Sequence, residues 1–328
     1  MYTITQKYAH VKGFNIQPDW GRNGTEIWLN FDRTRYEEMI RIGKERFPAM
    51  NTVRIWLSFD AWIQDRQTYL QSVKAAGETL SAEGLLIIPT YFNGWFGEYM
   101  KVNAGGVVFN VSDMDRDLRI LIEPAAVIVH AVEQAKKIFD FKFDSYVLVQ
   151  GCGPIGLLLL AMVRCLGVRN IIACDMDEKR LAMAKRLGAA YTVNAGAPDA
   201  TEQGKAITGG LGAEMLFQCT GSPKAASKAW SYVRRGGSYC ELGFFVNNGD
   251  TTYNPHLDLC NKEVKVIGSW TYQAQDWIQS FSFLKEAQDR GLPITDLLTH
   301  KYPLDKMNEA MEMNISMEGL KIAFVAED

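Results

Sequence analysis

The stretch SYVLVQGCGPIG, residues 145–156, constrains this chain more than any other. An apolar, strand-like run meets Gly151, Gly153 and Gly156, and an apolar helical pattern follows at once. In such a turn the first glycine permits the tight reversal. The second lets the backbone approach a pyrophosphate, and the third lets the helix pack closely on the strand. The helix opening at Pro154 and Ile155 would present free N–H groups and its positive dipole end to phosphates. A carboxylate, Asp175, closes the next strand-like run nineteen residues past Gly156. There it can accept hydrogen bonds from ribose hydroxyls and repel a 2′-phosphate, so NAD is expected over NADP. Arg180, a helical turn further on, is expected to flank the adenine. A Gly-rich apolar turn followed by an ordinary surface Asp is the competing reading. The strand before the turn and the helix after it favour the nucleotide.

The pattern around this motif predicts an α/β fold. Strands are expected at 145–150, 170–174, 190–193, 214–219, 237–243 and 263–268, with helices at 154–166, 177–187, 199–208, 223–233 and 274–289. That is a doubly wound parallel Rossmann sheet at about 140–290, with a short helix near 304–313 and a closing strand at 320–325. Upstream, a strand at 10–16, a helix at 32–47 capped by Asp32, a strand at 53–57, a helix at 66–83 and the strand LLIIPTYF form another alternating series. Residues 98–113 break the rhythm. Residues 114–138 read as helical, interrupted at Pro124.

Composition narrows the partners. The net charge is −3 and the pI near 5.9, with Lys and Arg scattered, so nucleic acid and anionic membranes are not expected partners. The longest apolar run, Ile155 to Val163, is too short to span a bilayer. Six cysteines without a C-x-x-C pair suggest a reducing compartment, and the chain is expected to be cytoplasmic.

Residues 147–195 resemble the medium-chain, zinc-type alcohol and polyol dehydrogenases, most of all the sorbitol and threonine dehydrogenase branch. The likeness continues through AEMLFQCTGSPKA, RRGGSYCELGFF, KEVKVIGSW, LLTHKYPLDKMNEAME and GLKIAFV, and upstream through LIEPAAVIVHAVEQA, covering about 96–328. It implies NAD as cofactor, with Thr220 in the Cys219-Thr220-Gly221 run beneath it and Gly243 near the nicotinamide. It also implies a catalytic zinc that polarises the alcohol. In that family the zinc ligands come from an N-terminal GroES-like domain. No cysteine precedes Cys152, and only His10 precedes His130, so the zinc ligands at the matching positions are absent. Glu123 matches a glutamate that approaches the zinc in polyol dehydrogenases and is the candidate catalytic residue. A carboxylate at a helix start is its plainer reading. His130 reads as a packed core residue and His300 as structural, and His256 has no assigned role.

Residues 12–97 resemble the start of a clan-A glycoside hydrolase barrel of the cellulase or mannanase type, through KGFN, NTVRIWLS and IIPTYFNGW. By that likeness Arg54 would support a nucleophile, and Trp56 and Trp95 could stack on sugar. The paired carboxylates come from later strands that do not follow, so a glycosidase is not expected.

The expected organisation is a partial (β/α) barrel-like segment at 1–97 and a dehydrogenase remnant at 98–139. The NAD-binding Rossmann domain at 140–290 and a C-terminal remnant at 291–328 follow. A fusion, natural or made, would explain the junction near residue 95. The expected function is hydride transfer from a secondary alcohol or polyol to NAD, impaired by the missing zinc ligands. A non-catalytic NAD-binding or interaction protein is the alternative, with carbohydrate binding behind it. The expected partners are a small alcohol or polyol and, through KEVKVIGSW, a second copy of the chain.

Overall fold

A computed structural model describes residues 13–16, 18–90 and 109–325. The chain divides into two compact units, residues 1–109 and 110–328. His10, Trp95 and the stretch 98–108 lie outside the described residues.

The first unit is a three-stranded parallel sheet of β1 (Gly13–Ile16), β2 (Thr52–Trp56) and β3 (Leu86–Thr90), in that order. Between β1 and β2 run α1 (Gly24–Leu29) and α2 (Arg33–Arg46), and between β2 and β3 run α3 (Phe59–Gln64) and α4 (Arg66–Ala82). Asp32 caps α2, its side chain accepting from the Arg35 amide at 3.0 Å. The short helices α1 and α3 were not legible in the hydrophobic period. Their starts are written in caps instead, Asn23 accepting from Glu26 N at 2.9 Å and Ser58 from Ala61 N at 3.2 Å. Val53 and Ile55 of β2 pack with Tyr36 and Ile40 of α2 and Ala76 and Leu80 of α4.

The second unit is built on a six-stranded parallel sheet in the order β6-β5-β4-β7-β8-β9. These are β4 (Tyr146–Gln150), β5 (Asn170–Asp175), β6 (Tyr191–Asn194), β7 (Ala213–Gln218), β8 (Val233–Glu241) and β9 (Lys265–Gly268). The helices are α5 (Arg116–Arg119), α6 (Ile122–Ala135), α7 (Pro154–Cys165), α8 (Glu178–Arg186), α9 (Ala200–Ile207), α10 (Pro223–Tyr232) and α11 (Asp276–Asp289). Strand alternation splits the apolar residues between two faces. Val147, Val149, Ile171, Ala173 and Phe217 pack with α6, α7 and α11. Leu148, Ile172, Leu216 and Tyr239 pack with Ala229, Trp230 and Tyr232 of α10. The fold is therefore a doubly wound α/β sheet of Rossmann type.

Pro124 does not interrupt a helix, because α6 begins at Ile122 and puts it in the first turn, where no amide partner is lost. The C-terminal stretch forms a two-stranded parallel sheet of β10 (Leu298–Tyr302) and β11 (Lys321–Phe324), joined by α12 (Met307–Ile315). Leu297 is 0% exposed, and Leu298, Ile322 and Phe324 are half-buried, so this segment packs its apolar residues. A π-helical turn at Pro255–Cys260 was not foreseen; none of its residues is buried, so it leaves no apolar period to read.

His130 is the packed histidine the sequence suggested. Its Nδ1 lies 3.0 Å from Asp276 Oδ2, and its Nε2 lies 3.2 Å from Gln134 Nε2. Asp276 is 1% exposed and also accepts from Gln273 N at 2.6 Å. It ties α6 to the start of α11. Asp276→Ala leaves the buried His130 imidazole and the Gln273 amide without this partner, and we expect a loss of about 3 kcal/mol of unfolding free energy, measured by urea titration.

Candidate functional site

The chain steps outward from β4 through β5 to β6, then crosses back to β7 on the other side of β4. A crevice opens at such a reversal, outside the carboxyl ends of the strands. Gly151, Asp175, Thr220 and Gly243 all follow or end strands at this edge.

The glycines answer three different steric demands. Gly151 has φ +93°, and a Cβ there would meet Thr220 Cγ2 at 2.6 Å. A Cβ at Gly156 would sit 1.8 Å from the Gly151 carbonyl oxygen, so helix α7 could not close on the turn. A Cβ at Gly153 would meet nothing within 4 Å. The first and third glycines are required by the protein's own packing. The second faces open space, as expected where a ligand backbone approaches. Pro154 occupies the first turn of α7, the Gly153 N-cap supplies no side-chain cap, and Ile155 packs partly against the core. The first amides of α7 thus have no side-chain acceptor among the described residues.

Asp175 reaches back to the turn. Its Oδ2 accepts from Cys152 N at 2.6 Å, and its Oδ1 accepts from Asp177 N at 2.9 Å. The carboxylate is therefore fixed at the mouth of the Gly151–Gly156 loop, with lone pairs remaining on both oxygens.

Thr220 and Gly243 adjoin each other. A Cβ on Gly243 would lie 2.0 Å from Thr220 O and 2.2 Å from Gln218 Oε1. Buried Gln218 holds the corner, accepting from Thr220 N and donating to Thr220 Oγ1, both at 2.9 Å. Glu241 accepts from Gly243 N at 2.9 Å and from Tyr239 Oη at 2.7 Å. Sequence reasoning missed Gln218 and Glu241. The available signal was a polar residue ending each of two apolar strands.

The other two site candidates have different neighbours. Arg180 donates from Nη2 to the Met317 carbonyl at 3.3 Å. Glu123 is exposed in the first turn of α6 and acts electrostatically on Tyr272 and Lys321. Burial and then the Glu123 charge raise the Tyr272 phenol. Burial lowers the Lys321 ammonium, and Glu123 opposes that shift. The buried thiols are poor ligands as they stand: burial pushes Cys174 up to about 11 and Cys240 up to about 12.

Comparison with known proteins follows the same lines. Residues 154–286 match the zinc-binding dehydrogenase family. An erythritol/L-threitol dehydrogenase of Mycolicibacterium smegmatis is 30% identical over 71% of this chain and 62% of its own length. A sorbitol dehydrogenase of Bacillus subtilis is 29% identical over 70% of this chain and 63% of its own length. Among solved structures, an alcohol dehydrogenase from Thermotoga maritima superposes with a TM-score of 0.60 at 26% identity, covering 66% of this chain and 59% of that one. The chain thus spans less than two thirds of these relatives.

The family implies NAD and zinc. NAD suits the residues here, because the open side of Gly153, the uncapped start of α7 and the fixed Asp175 carboxylate match a pyrophosphate and a ribose. Zinc does not: among the described residues no group of three or more His, Cys, Asp or Glu is placed to hold a metal ion.

Glu241 is mostly buried, and burial raises its carboxyl above the ordinary glutamate range. The native state therefore holds that proton to higher pH than the unfolded chain, and stability falls as pH rises through the interval between the two values. Glu241→Gln is expected to raise Tm at pH 7, with the gain vanishing below the ordinary glutamate range. A calorimetric pH series on both proteins checks it.

Proposed function

We propose that residues 110–328 bind NAD and serve an NAD-dependent oxidoreduction of a small secondary alcohol or polyol. The observation that carries the reading is the Asp175 carboxylate, fixed by the Cys152 amide beside a glycine whose free side faces open space. In this reading the Gly153 backbone and the first free N–H groups of α7, from Ile155 on, hold the pyrophosphate, with Pro154 presetting the turn. Asp175 receives the ribose hydroxyls, and its charge disfavours a 2′-phosphate. Thr220 and Gly243 let the backbone lie close beneath the nicotinamide half, and Gln218 and Glu241 keep that corner rigid. When bound, NAD supplies the hydride acceptor. Glu123 is the proposed residue nearest the proton chemistry, supported by its place beside Tyr272 and Lys321. No step is assigned to zinc.

A second reading is an NAD-binding protein without metal-assisted chemistry, supported by the donor set: among the described residues no three His, Cys, Asp or Glu converge. Carbohydrate binding by the first unit is supported only by Trp56, exposed at the end of β2 with Arg54 4.3 Å over its ring.

Calorimetric titration tests the cofactor. The wild type is expected to bind NAD more tightly than NADP. Gly153→Val should fold normally, since its side chain meets open space, yet lose NAD binding. Asp175→Ala should lose the preference for NAD. Absence of NAD binding at millimolar concentration in the wild type defeats the proposal.

We also propose a homodimer through β9, which ends the sheet order and leaves Val266 46% exposed. Sedimentation should show a wild-type dimer and a monomeric Val266→Lys. A monomeric wild type removes the idea.

A further inference from the structure

A turn near the C-terminus meets the helix that follows β5, a contact that no sequence motif announces. Met317 follows α12 and has φ +59°, a left-handed conformation that glycine adopts without cost and that an unbranched side chain resists. It stands in the turn after the helix, with its amide donating to Asn314 O at 3.2 Å. Glycine is the ordinary choice there, and this chain instead keeps a methionine that is 65% exposed. A large apolar side chain held in a restricted backbone, with most of its surface in water, adds little to stability. Its carbonyl is the acceptor for Arg180, 3.3 Å from Nη2. Arg180 lies in the first turn of α8, directly after the β5–α8 corner that carries Asp175 and Met176, and Met176 is itself 72% exposed. Arg180 thus fastens the C-terminal turn to the helix that opens beside the Asp175 carboxylate.

We propose that Met317 is an adenosine-contacting residue. Arg180 holds the turn Ser316–Gly319 against the crevice, and the Met317 and Met176 side chains supply flexible apolar surface for the adenine. Thioether side chains adapt to a planar base and have polarisable sulfur to set against it. The inference rests on the NAD reading and adds to it a segment more than a hundred residues from the glycine turn. Arg180 is a positioning residue in this scheme, acting through the turn.

The substitution that separates ligand contact from structure is Met317→Gly. Relief of the backbone restriction should raise Tm, while removal of the side chain should weaken AMP and NAD binding by roughly fivefold. Met317→Ala, which keeps the restriction, should weaken binding by a similar factor without the rise in Tm. Nicotinamide mononucleotide, which lacks the adenosine half, should bind all three proteins equally. Hydrogen exchange at residues 316–319 should slow when AMP is added to the wild type and respond less in Arg180→Ala. If the wild type binds AMP and both Met317 variants bind it equally well, the inference is overturned and the NAD reading stands. An AMP-bound wild type with unchanged exchange at 316–319 also overturns it. A wild type that binds neither AMP nor NAD removes both.

Discussion

The hydrogen bond from the Cys152 amide to Asp175 Oδ2, at 2.6 Å, is the constraint on which the site depends. It joins the turn after β4 to the end of β5, so the glycine loop and the Asp175 carboxylate are held together. The cost of desolvating that carboxylate is offset by two backbone donors, Cys152 N and Asp177 N. The steric demands at Gly151 and Gly156 then fix how close α7 comes to the strand. What remains open is the side of Gly153, where the proposed pyrophosphate would lie.

The second unit was legible because its signals reinforce one another. Apolar strands, a Gly turn and a helix-opening proline are local features, and packing on both faces of the sheet follows from the apolar run of Val147, Leu148 and Val149. The elements that escaped had no such period. Helices α1 and α3 are too short for one and depend on Asn23 and Ser58. Strand β10 has no buried residue, so its pattern alternates only between half-buried and exposed. The helical reading near Pro124 was one break too many, because a proline is disruptive only beyond the first turn, and the position of that turn is a tertiary result.

Among the candidate site residues, those constrained by backbone geometry are easier to read from the sequence than those brought together by long-range packing. Gly151, Gly153, Gly156 and Asp175 are read from spacing. Thr220 and Gly243 come together only because β7 and β8 are neighbours, and Gln218 and Glu241 matter only because they brace that meeting point. Arg180 was placed correctly on its helix, yet its partner is a carbonyl 137 residues away, which no local pattern discloses.

The relatives act as alcohol and polyol dehydrogenases in the names they carry, and the chain covers about 62% of the first of them. That proportion sharpens the physical question. The core of a cofactor crevice is assembled from the sheet's own edge and the turns that follow its strands. A metal centre needs at least three ligands converging within about 2.3 Å of one point. The first condition rests on backbone features that survive wide sequence divergence. The second rests on a few side chains, and the described residues bring no such set together. Binding of the nucleotide and turnover of an alcohol are therefore separable properties of this fold. Around Glu123, burial lowers the Lys321 ammonium and the carboxylate opposes that shift, so this corner depends on side chains in a way the backbone crevice does not.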